Sequence, residues 1–130
     1  MNRRTAREKG IQALYQMDLS GAESSEAVAN VLEESDSDSS YLREIVTGVE
    51  QHREEIDTII KSNLEKWSFD RLAKVDRNIL RLAVYEMQYS DDVPAKVAVN
   101  EAIELAKYFS DERAGKFING VLSKINQSMD

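Results

Sequence analysis

The sequence predicts an all-helical fold, and three observations carry that prediction. Residues 72–89 are apolar around most of a helical circumference, with no Gly or Pro inside. The flanking segments place their apolar residues three and four apart, the period of helices packed on one side. One proline in 130 residues, with 42% hydrophobic content, fits a folded, mostly helical chain long enough for a core of its own.

Residues 72–89 are the central helix. Leu72, Val75, Ile79, Leu82, Ala83 and Glu86 share one face at 100° per residue. Leu80, Val84 and Met87 extend it, and Tyr85 and Tyr89 close it from the other side. Arg77, Arg81 and Gln88 are left as the polar strip. A helix so apolar must be surrounded by other elements. Asp76 and Glu86 lie on or beside its buried faces, which is costly unless each is paired. Asp76 reads first as a helix-start residue that accepts from free N–H groups. Glu86 reads first as one half of an internal salt bridge.

The first helix is expected from Ala6, because Thr5-Ala6-Arg7-Glu8 fits a capping box. Its core stripe is Ala6, Gly10, Ala13, Leu14 and Met17, while Arg4, Arg7, Ile11 and Tyr15 fall on a neighbouring side. Arginines at a helix start oppose the macrodipole, which points either to an anionic partner such as phosphate or to an untidy solvated terminus. Ser20-Gly21 ends this helix, and Ser24 or Ser25 starts a short second one on Val28, Val31 and Leu32. Ser35–Ser40 is polar and is the candidate boundary between two sub-bundles. Leu42, Ile45, Val46 and Val49, then Ile56, Ile59, Ile60 and Leu64, predict two helices or one bent helix breaking near His52. Trp67 and Phe69 lead into the central helix as core plugs.

Pro94 bars helix through Ser90–Pro94. The next helix is capped by Asn100 or begins earlier, at Ala95, and Ser110 or Asp111 starts the last one. Ala114, Ile118, Val121, Leu122 and Ile125 form the core side of that helix, with Phe117 at the edge. Arg113, Lys116 and Lys124 border Phe117, which is either a stacking platform for an unpaired base or ordinary core. Gly120, inside the same helix, implies close approach of a backbone or a ligand.

Charge and composition narrow the function. The net charge of −7 argues against general nucleic-acid binding. The distribution is uneven: residues 1–9 carry Arg3, Arg4, Arg7 and Lys9 against Glu8, a net +3, which leaves −10 for the rest. Residues 23–40 hold six acids and no Lys or Arg. A basic arm on an acidic body suits local RNA contact. With no Cys and one His, thiolate and Glu-x-x-His metal sites are excluded, and His52 has no partner motif for Ser–His catalysis. No cofactor, metal or catalytic residue is expected. No run reaches the ~20 apolar residues of a membrane span, and no secretory pattern is present, so a cytoplasmic protein is expected.

The segments just read resemble the NusB family of bacterial transcription antitermination factors, in order and along nearly the whole chain. Arg3-Arg4-Thr5-Ala6-Arg7-Glu8 with Gln12-Ala13-Leu14-Tyr15 is similar to the start of that family, and Val75-Asp76-Arg77 with residues 79–86 to its central helix. Val93-Pro94 with residues 100–107, and residues 116–122, are similar to the two segments that follow. The resemblance implies about seven helices in two small bundles, about 1–68 and 69–130, within a single domain. It implies a heterodimer with NusE, a small-subunit ribosomal protein, that binds boxA RNA and helps RNA polymerase pass terminators in ribosomal RNA operons. By that similarity Arg3, Arg4 and Arg7 meet RNA phosphates, with Lys116 and Phe117 on the same RNA surface. Tyr15 and Asp76 match positions whose alteration in the family disturbs partner or RNA binding, and the resemblance carries them over as contacts on the NusE side. Ser110 stands where the family often has Gly, and Gly10 where Ala is more usual. The alternative is a homodimeric protein-interaction module whose RNA surface is masked or incidental.

Overall fold

The computed structural model describes residues 1–65 and 68–129. Among these are seven α-helices: α1 (Arg3–Ser20), α2 (Ser24–Val31), α3 (Ser40–Gln51), α4 (Arg53–Ser62), α5 (Lys74–Tyr89), α6 (Ala95–Phe109) and α7 (Glu112–Ser128). A single 3-10 turn, Phe69–Arg71, precedes α5. Among the described residues, no helix is long and apolar enough to cross a membrane.

The all-round apolar character of α5 has its expected consequence. Every residue from Arg77 to Glu86 is buried. On one side α5 packs against α1 and α3, which with α2 form a mutually packed group; on the other it packs against α6 and α7. Helix α4 touches α3, α5 and α7 and bridges the two sides. One hydrophobic cluster runs through all of them. At Gly48 the approach of α3 to α5 leaves no room for a side chain: an added Cβ would lie 2.2 Å from Cε1 of Tyr85. Placing Ala there forces the ring to move, at a cost of about 1–3 kcal/mol.

Several sequence expectations are corrected. Helix α1 starts at Arg3, because the Asn2 side chain, not Thr5, caps it and accepts from the Thr5 backbone N–H at 2.8 Å. Helix α5 starts at Lys74, because the 3-10 turn leaves Leu72 extended. Asp76 does not cap α5; the N-cap is Ala73 and no side chain caps that end. Helix α6 begins at Ala95, the earlier of its two expected starts, so Asn100 does not cap it. Ser35–Ser40 is not a boundary, because it joins α2 to α3 and these pack on each other.

Arg77 and Arg81 are not a solvated strip. Both are buried, with the Arg77 guanidinium on Asp18 of α1 at 2.6 Å and the Arg81 guanidinium on Asp57 of α4 at 2.8 Å. Arg77 and Arg81 therefore pin α1 and α4 to the core helix by charge-assisted bonds. Asp18 pays for burial, yet Arg77 and Arg81 hold its carboxyl below the usual range. Elsewhere the reading and the structure agree. His52 ends α3 and precedes α4, and its ring stacks on Tyr89 at 3.9 Å. Asp111 caps α7 by accepting from the Ala114 N–H at 2.8 Å. Phe69 is buried, whereas Trp67 lies outside the described residues.

Candidate nucleic-acid and partner interface

The arm is built by the first two turns of α1 lying across the C-terminal end of α5. Arg7 points inward. It is 4% exposed, and its guanidinium donates to both oxygens of Glu86, at 3.0 and 3.1 Å, and to Glu101 at 3.1 Å. The Tyr41 hydroxyl donates to the same Glu86 carboxylate. Burial pushes the Glu86 carboxyl up, and Tyr41 and Arg7 pull it back. Beside Glu86 the Tyr41 hydroxyl is itself well above its ordinary range, through burial and its bond to that carboxylate.

Arg3 and Arg4 are exposed, and each is held by an acid. Arg3 donates to Asp92 at 2.6 Å and lies over the Tyr41 ring, 4.3 Å from its centroid. Arg4 makes a two-pronged contact with Glu101, its Nε at 3.2 Å from one carboxylate oxygen and its Nη2 on the other. Glu101 thus joins Arg4 to Arg7. Its carboxyl and that of Asp92 are held below the ordinary range by these arginines. Lys9 turns the other way, onto the acidic segment after α2, with Asp36 at 3.2 Å and the Val31 carbonyl at 3.1 Å.

The second group lies at the opposite end of α5. A hollow of about 340 Å³ is lined by Leu72, Ala73, Asp76, Asp111, Arg113 and Phe117 among others. Within it, Oδ1 of Asp76 is buried and has no hydrogen-bond donor among the described residues. Burial, with nearby Asp111, raises the Asp76 carboxyl above its ordinary value. A neighbouring hollow of about 300 Å³ places Phe117 beside Lys116, Lys124 and Gly120. Gly120 is exposed, and an added Cβ would meet nothing within 4 Å, so its expected backbone contact is absent from the described chain.

The predicted site residues therefore fall into groups. Arg3, Arg4 and Arg7 are together, but Arg7 faces carboxylates, not solvent. Lys116 and Phe117 are together with Asp76, about ten residues or 15 Å away along α5 from Glu86. The hollows beside Phe117 contain none of the arm's arginines. Tyr15 is exposed on α1, and its neighbour Asp18 contacts Arg77 and Asn78. The two helices run antiparallel, with Asp18 opposite Arg77 and Arg7 opposite Glu86, so Tyr15 lies about one turn from the level of Asp76. Sequence reasoning missed Tyr41, Asp92 and Glu101 as the arm's partners. Glu101 alone carried a signal, as an acid flanking the buried Ala98–Ala102–Leu105 stripe.

The NusB family model matches residues 4–127. The transcription antitermination protein NusB of Geobacillus kaustophilus is 51% identical over 129 residues, covering 99% of this chain and 98% of the relative. That of Bacillus velezensis is 51% identical over 130 residues, covering 100% and 99%. Among solved structures, NusB of T. maritima superposes with a TM-score of 0.91 at 36% identity, over 98% of this chain and 92% of that one. A chain in a complex of antitermination factors NusB and NusE with dsRNA superposes with a TM-score of 0.88 at 38% identity, over 97% and 96%. With the helical order, the core and both ends of α5 in place, the chain belongs to the NusB family.

Proposed function

We propose that this chain is a transcription antitermination factor that binds boxA RNA of ribosomal RNA operons as a heterodimer with a NusE-type ribosomal protein. In that form it supports passage of RNA polymerase through terminators. The observation that carries this reading is its near-complete likeness to a chain solved in a complex of NusB and NusE with dsRNA. The geometry supports distinct parts for the residues. Arg3 and Arg4 are exposed and take RNA phosphates. Arg7 is the buried anchor that fixes the helix carrying them. Lys116 and Phe117 form a second RNA contact at the other end of α5, so the strand runs along the molecule instead of resting on one patch. Tyr15 and Asp76 meet the protein partner, and the unsatisfied Asp76 oxygen accepts from a donor that the partner supplies.

Filter binding of boxA RNA to the heterodimer at two salt concentrations tests this. Each phosphate contact contributes about −0.7 to the slope of log affinity against log salt on a single strand. Arg3→Ala with Arg4→Ala should weaken binding and flatten that slope, and salt-insensitive binding would count against the reading. Sedimentation with and without RNA separates it from a homodimeric interaction module, which would be indifferent to RNA.

A further inference from the structure

We infer that Tyr108 and Arg4 together form a seat for one unpaired nucleotide, the base lying on the Tyr108 ring and its phosphate on the Arg4 guanidinium. This rests on the reading that the arm meets RNA, and it adds the aromatic surface that the arm otherwise lacks. Phe117 lines hollows that contain neither Arg3 nor Arg4.

Three features carry it. Tyr108 is 70% exposed, the most open of the exposed large hydrophobic side chains, which include Tyr15 at 36%. An aromatic ring in water forfeits the burial that usually places it in a core. Its position follows from the helix: Ala98, Ala102, Leu105 and Ala106 face inward, so residues 101, 104 and 108 share the outer side. The ring is also braced, since Phe109 meets it edge-on at 5.0 Å and 77°. Finally, Tyr108 and Arg4 line the same groove of about 170 Å³, with Leu105, Glu8 and Glu104. The two carboxylates that line it repel phosphate. A base can enter there while its phosphate stays at the rim, on Arg4. Glu101 already fixes Arg4 in a forked geometry that a phosphate oxygen pair can take over.

The test uses the heterodimer and labelled boxA RNA. Stacking of one base on an aromatic side chain predicts that Tyr108→Ala weakens binding about 5- to 150-fold. Tyr108→Phe should stay within about twofold of the parent, because the ring face is kept. Tyr108→Ala should leave the salt slope unchanged, whereas Arg4→Ala should reduce it, the signature of a lost phosphate contact. The double variant should lose less than the two single losses combined, since both groups hold one nucleotide. The inference is overturned if Arg4→Ala weakens RNA binding and Tyr108→Ala does not. It is equally overturned if Tyr108→Ala impairs capture of the protein partner and leaves RNA binding intact. If the parent heterodimer fails to bind boxA RNA, the proposed function falls and this seat falls with it.

Discussion

Glu86 and Asp76 stand ten residues apart on α5, and the chain treats them in opposite ways. Glu86 is 0% exposed, yet Arg7 and Tyr41 both donate to its carboxylate. Asp76 opens onto a hollow, yet one of its oxygens is buried with no donor among the described residues. A buried charge with its full set of partners is part of the architecture. A buried acceptor without one is open to a donor from outside the described residues. The two ends of one helix thus separate a closed ionic network from an open acceptor.

The largest expected effect lies at the satisfied end. Arg7→Ala leaves Glu86 as an unpaired charge in the core and should cost about 3–5 kcal/mol in urea unfolding. A loss below about 1 kcal/mol would mean the pair behaves like a surface bridge, and the contrast with Asp76 would vanish.

At the other end the effects on stability and binding should part company. Asp76→Asn should weaken capture of the NusE-type partner about tenfold while leaving stability equal or raised by less than about 1 kcal/mol. The same variant gives a pH test. The folded Asp76 carboxyl is raised, by burial and Asp111, so the folded state binds that proton more tightly than the unfolded chain. Its contribution to stability is present below the unfolded value and lost as pH rises through the folded one. The parent should therefore lag Asp76→Asn most at neutral pH, and the gap should close as pH falls into the carboxylate range. Asp18, Asp92 and Glu101 are held low and lose stability in acid instead, so only the difference between parent and variant isolates Asp76.

Much of the architecture was legible because it depends on local pattern. The apolar circumference of α5, the break at His52 and the Asp111 cap each follow from residue type and spacing. The site was legible mainly as residue types. Arg77 and Arg81 read as a polar strip because helical periodicity records direction, not reach; their long stems carry the guanidinium groups onto Asp18 and Asp57, on helices remote in sequence. Arg7 read as a free cation for the same reason, since Glu86 and Glu101 are 79 and 94 residues away. That Phe117 and the arm line different hollows depends on how α1, α6 and α7 pack around α5, and no local pattern encodes that. Thr5 and Asn2 both satisfy capping rules; the earlier one prevails because Arg3 and Arg4 are helical.

The smallest effect sharpens the comparison within the arm itself. Arg3 must leave Asp92 to meet a phosphate, and Arg4 must share or leave Glu101. Glu101 also holds Arg7, so replacing it would disturb the buried network together with RNA contact. Asp92 has no such second duty: its side chain is 65% exposed and its recorded ion pair is with Arg3. Asp92→Asn therefore removes a competitor for phosphate without touching the core. The Tyr41 ring stays beneath the Arg3 guanidinium and keeps it in place. RNA affinity should rise about twofold at low salt, and the gain should fade as salt screens the competing carboxylate. A fall in affinity would instead make Asp92 a positioning residue, holding Arg3 where the strand needs it. Unchanged affinity at low salt would mean that Arg3 meets no phosphate, leaving Arg4 as the arm's contact.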